Sequence, residues 1–179
     1  MPLMNKPRFA VLIGMILVAA ALRLIPHAPN FTPITAMALF GGACFTDKRL
    51  AFLVPLMALF LSDLLLKFTP MPVVYVSFAL IVCLGFRLRR QRNASRVIGA
   101  SIVGAVIFFI LTNLGVWAFD ALYPKTMGGL VDCFVLAIPF FGNTLLSSLF
   151  YSALLFGGLA LAENRFTGLR EYRPLPGAA

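Results

Sequence analysis

Residues 97–119 read VIGASIVGAVIFFILTNLGVWAF, an uninterrupted apolar stretch with no charged side chain between Arg96 and Asp120. At 1.5 Å per residue, a helix of this length can cross the roughly 30 Å hydrocarbon layer of a bilayer. Moving outward along the chain, further apolar runs fall at about 9–25, 33–46, 50–66, 72–86 and 143–162, separated by short polar gaps. The pattern predicts an all-α integral membrane protein, a six-transmembrane-helix bundle forming a single domain over 1–179. The second and fourth runs are short, which predicts incomplete or locally broken spans. Segment 130–142 is a further apolar piece that closes on Pro139-Phe140-Phe141-Gly142. It reads either as a re-entrant helix or as an early, kinked start of the last span, because proline removes a backbone donor and disrupts the preceding turn.

Composition supports this class: 61% of residues are apolar and 12% charged, against roughly 45–50% apolar in soluble domains. A formal charge of +9 would suggest nucleic acid in a soluble protein, but here the basic residues follow the gaps. Alternate gaps collect Lys6, Arg8, Lys48, Arg49, Arg87, Arg89, Arg90, Arg92, Arg96, Arg165, Arg170 and Arg173, leaving Arg23, Lys67 and Lys125 for the other side. The positive-inside rule then orients the chain in a bacterial cytoplasmic membrane with both termini cytoplasmic. The partner of the basic flank is anionic membrane lipid, not nucleic acid. The first run also fits a signal peptide, with Lys6 and Arg8 ahead of it and Ala19-Ala20-Ala21 as a cleavage site. Retention is the expectation, because cleavage would delete the inner charge that seats the amino end.

The chain has no GxxxxGK[ST] phosphate loop, GxSxG elbow or HExxH pair. Its three cysteines, Cys44, Cys83 and Cys133, form no CxxC pair and read as apolar filler. Polar and aromatic groups gather where the runs reach the less basic side: His27 and Asn30 with Phe31, then Asp63, Tyr75, Asn113 with Trp117, Cys133 beside Asp132, and Asn143. Asn113 lies about 24 Å along its helix from residue 97, inside the apolar layer. Together these groups predict a ligand-binding hollow, polar at His27, Asn30, Asp63, Asn113 and Asn143, apolar at Phe31, Tyr75 and Trp117. Each also has a plainer role. Asp63 could pair with Arg23 or Lys67, Tyr75 and Trp117 could anchor the interface, and the two asparagines could bond neighbouring helices.

The stretch His27-Ala28-Pro29-Asn30-Phe31-Thr32-Pro33-Ile34, with Ala36 to Gly42, Leu61-Ser62-Asp63, Pro70-Met71-Pro72-Val73-Val74-Tyr75, Leu111-Thr112-Asn113 and Tyr123-Pro124-Lys125-Thr126, resembles a family of small membrane proteins. These are similar to the substrate-binding S components of energy-coupling factor transporters and include solitary BtuM-like cobalamin importers. The resemblance covers about residues 20–160. It implies a six-helix S-component fold that holds a vitamin or related small molecule between its outer loops, with cobalamin as the first candidate transported ligand and no built-in cofactor. It also implies docking onto a transmembrane T component with cytoplasmic ATPases. Ala10 and Gly14 form a small-xxx-small pair that could serve this docking or internal packing. BtuM-like proteins ligate cobalt with a cysteine from the loop entering span four. Here residues 67–72 contain none. Cys133 is a substitute, and His27 is the better candidate for an axial cobalt ligand, since imidazole suits transition metals. Two other classes remain open: a ligand-free membrane assembly subunit, and an intramembrane enzyme with Asp63 or His27 as general base.

Overall fold

The computed structural model describes residues 6–69 and 71–170; Pro70 and Arg173, both used above, lie outside the described residues. Six helices follow in order: α1 (Lys6–Leu22), α2 (Ile34–Cys44), α3 (Lys48–Leu65), α4 (Pro72–Phe86), α5 (Ala94–Phe119) and α6 (Met127–Arg165), with a 3-10 turn at Thr167–Leu169. No strand occurs among the described residues. Side-chain caps mark three of the starts. The carboxylate of Asp47 accepts from the Arg49 amide at 2.7 Å, the Asn93 side chain from Arg96 at 3.0 Å and the Thr126 hydroxyl from Gly129 at 3.1 Å, each satisfying an otherwise orphaned donor.

The fourth helix matches its run, and the others shift by a few residues. The larger difference is at the carboxyl end. Of the two forms expected for segment 130–142, the structure shows the second, an early start of the last helix: it is the first part of one 39-residue helix that runs through Pro139. A proline costs one backbone hydrogen bond, and the apolar sequence on both sides continues the helical pattern across it.

α5 and α6 are long and apolar enough to cross a membrane by themselves. α2 has 11 residues and α4 has 15, about 16 and 22 Å of helix, short of the roughly 30 Å apolar layer. The reason α2 can be short lies in its surroundings, since all of its residues are buried. Gly42 faces α4, where an added Cβ would lie 2.1 Å from the Val82 carbonyl oxygen, and Gly41 faces Pro55 of α3. Phe40 packs edge-on against Phe156 of α6, ring centroids 5.3 Å apart. Protein therefore surrounds α2 along its length.

The exterior is as apolar as the core. Ser77, Ser101 and Ser148 are fully buried, whereas Leu65 is 69% and Phe119 79% exposed. The serines join helices: Ser101 of α5 bonds Ser152 of α6 at 2.9 Å, and Ser148 donates to the Ser101 carbonyl at 3.0 Å.

Chain direction alternates from helix to helix, so the bundle has two unlike ends. At the basic end, buried Arg8 of α1 pairs with Glu163 of α6 at 2.6 Å and also donates to the Leu169 carbonyl. Arg89 donates to the Gly42 carbonyl at 2.9 Å and stacks over Phe86. The opposite end carries Arg23 and the loop that follows α1.

Candidate functional site

Arg23 sits immediately after α1 with its side chain turned into the bundle, 6% exposed. Its Nη2 pairs with Asp63 Oδ1 at 2.8 Å, and its Nη1 donates to the Ser62 hydroxyl. The other Asp63 oxygen accepts from the Tyr75 hydroxyl at 2.8 Å. Three segments, the α1 end, α3 and α4, are thereby fastened by one buried network. Asp63 and Tyr75, expected at a ligand, are joined to Arg23 in this network, each carboxylate oxygen accepting one hydrogen bond. A buried carboxylate needs an opposite charge and hydrogen bonds, and Arg23 and Tyr75 supply them.

Above the network the loop 23–33 folds over the bundle. Asn30 adopts the left-handed backbone conformation, φ 60°, which asparagine tolerates, and the Asn143 amide of α6 donates to the Pro29 carbonyl at 2.9 Å. Asn143 therefore holds the loop down. Phe31 turns inward between Phe150 and Tyr151, with centroids 6.1 and 5.8 Å away, and is a packing residue.

Two cavities lie beneath this loop. The first, about 320 Å3, is bordered by Arg23, His27, Asn30, Thr35, Thr144 and Ser147, with Phe68 and Phe108 as apolar wall. The second, about 250 Å3, lies between α5 and α6 and includes Thr112, Asn113, Val116 and Phe140. Asn30, Phe108 and Thr144 border both, so the cavities adjoin. Of the expected site residues, His27, Asn30 and Asn113 line this hollow. His27 is exposed at its rim, where Nδ1–H donates to the Ala28 carbonyl at 3.0 Å, leaving Nε2 with a lone pair in the neutral ring.

The remaining expectations resolve elsewhere. Trp117 donates from its indole to the Pro124 carbonyl at 3.1 Å, bracing the loop between α5 and α6 together with Lys125, which donates to the Trp117 carbonyl. Buried Cys133 donates to the Asn113 carbonyl at 3.4 Å and packs the α5–α6 seam. Among the described residues no three His, Cys, Asp or Glu side chains gather to hold a metal. Gly14 is not packed internally either, since nothing lies within 4 Å of where its Cβ would stand.

Sequence reasoning passed over Thr35, Phe108, Thr144 and Ser147. A signal for two of them was present. Thr144, Ser147, Ser148 and Ser152 recur at helical spacing and are all buried, a hydroxyl stripe along one face of α6.

The class of protein defined here is an all-helical bundle, apolar outside, with a largely apolar hollow that carries a few polar groups at the end opposite its basic loops. The chain belongs to a family of unknown function, DUF6580, whose profile matches residues 4–171. No curated protein and no solved structure matches it.

Proposed function

We propose that this protein binds a vitamin-like or similar small solute for uptake across a bacterial cytoplasmic membrane, as S components of energy-coupling factor transporters do. The observation that carries the reading is the pair of adjoining cavities under the 23–33 loop, walled by α2, α4, α5 and α6. In this reading all six helices sit in the bilayer in alternating directions, with the arginine-rich end in the cytoplasm and the hollow facing outward. The lipid-like exterior supports it, and the short α2 is accommodated because other helices enclose it. A T component with cytoplasmic ATPases remains the proposed source of energy, and the open face of α1 at Ala10 and Gly14 is available for a partner helix.

Cavities of about 320 and 250 Å3 favour a small solute over a corrinoid. A corrinoid would have to lie across the mouth, with His27 Nε2 as its cobalt ligand. Asp63 is disfavoured as a general base, because Arg23 and Tyr75 already engage it.

The test is retention of a ligand. Protein extracted in mild detergent and analysed by absorbance and mass spectrometry should carry one small molecule, and Thr32→Trp, at a loop residue that also borders the first cavity, should fill the hollow and carry none while melting at the same temperature. A molecule held equally by both proteins would remove this hollow as the site. A molecule held by neither would favour the ligand-free assembly subunit.

A further inference from the structure

Of the side chains bordering the hollow, four have a proton committed to a backbone carbonyl, whereas Thr32, Thr35 and Asn30 offer donors as well as acceptors. Thr144 donates its hydroxyl proton to the Phe140 carbonyl at 3.1 Å, and Ser147 donates to the Thr144 carbonyl at 3.0 Å. In the second cavity Thr112 donates to Phe108 at 2.7 Å, and the Asn113 amide donates to Phe109 at 2.8 Å. Each hydroxyl has one proton and two lone pairs, and an amide oxygen only accepts. What these four side chains have left is chiefly acceptor capacity.

Formal charge is equally constrained. No carboxylate borders either cavity, and Arg23, the one cation there, is balanced by Asp63 at 2.8 Å. Arg23 contributes one further group: its buried Nε–H has no hydrogen-bond partner among the described residues. An anionic solute would meet the acceptor lone pairs and a cation already paired. A cationic solute would meet Arg23 with no counter-charge. Either charge would lose its hydration without compensation.

Resting on the solute-binding reading above, we infer that the hollow takes a small, uncharged solute that carries O–H or N–H groups beside an apolar face, such as a sugar or nucleoside. Its donors meet Thr144, Ser147 and Thr112, one of its acceptors meets Arg23, and an apolar face lies on Phe108 and Phe68.

Charge-matched probes test this on the full-length protein in detergent, by calorimetry or equilibrium dialysis. Glucose, glucuronate and glucosamine form one set, and uridine with uridine 5′-monophosphate the other. The neutral member of a set should bind at least tenfold more tightly than its charged counterparts. Thr144→Val and Ser147→Ala, which keep the shape and remove an acceptor, should each weaken that binding about three- to tenfold. A charged counterpart that binds as well as the neutral one overturns the solute class and leaves the site standing. Unchanged affinity in both variants overturns the acceptor assignment. If no probe binds, the charge of the molecule retained by the purified protein decides: a neutral one supports the class and a charged one refutes it. If nothing binds and nothing is retained, the functional reading itself fails, and the class falls with it.

Discussion

Of the two roles open to Asp63, a ligand contact and a structural ion pair, the structure shows the ion pair, with Arg23. An aspartate inside an apolar run announces a buried, partnered group, and that much is legible from cost alone. The sequence offers two cations, Arg23 and Lys67, and only packing shows that Arg23 reaches Asp63, at 2.8 Å. Removing one partner of a buried pair strands the other. Asp63→Ala should therefore lose about 3–5 kcal/mol of stability, whereas Tyr75→Phe, which breaks one hydrogen bond, should lose about 1 kcal/mol. Thermal unfolding of the detergent-solubilised proteins checks this, and equal losses would show that the ion pair is not the anchor. Asn143, Trp117 and Cys133 were equally legible as polar or soft groups near one end. Their partners are backbone carbonyls at Pro29, Pro124 and Asn113, and carbonyls carry no sequence signature.

At the scale of helices, the crossing of α2 and α4 depends on two glycines. A Cβ on Gly85 would lie 2.5 Å from the Leu39 carbonyl oxygen and 2.9 Å from the Cα of Gly42, so backbone meets backbone there and no flexible side chain can yield. Gly85→Ala should push the two helices apart at a cost of about 1–3 kcal/mol. Gly14→Ala on α1 has open space around it and should unfold within about 0.5 kcal/mol of the parent protein. A loss at Gly14 as large as that at Gly85 would mean that α1 packs more tightly than its groove indicates. The helix count was readable from apolar run length, but the joining of segment 130–142 to the last helix was not, because Pro139 is compatible with either a break or a continuous helix.

For the whole molecule, the distribution of Lys and Arg makes a statement about orientation that can be measured directly. In a background with Cys44, Cys83 and Cys133 replaced, Lys67→Cys and Lys125→Cys should react with a membrane-impermeant thiol reagent added to intact cells. Arg90→Cys and Arg165→Cys should react only after the membrane is opened. The reverse pattern would invert the protein and place the hollow in the cytoplasm. By itself the chain's order of residues determined that it is helical, how many helices it forms to within a few residues, and which ends are basic, because apolar run length and charge are local properties. Tertiary structure alone decided that α2 is wholly enclosed, that Asp63 is spent on Arg23, and that Thr35, Phe108, Thr144 and Ser147 border one hollow. Those outcomes depend on which faces of distant segments meet, and side-chain direction across a bundle is set by packing, not by any one stretch of sequence.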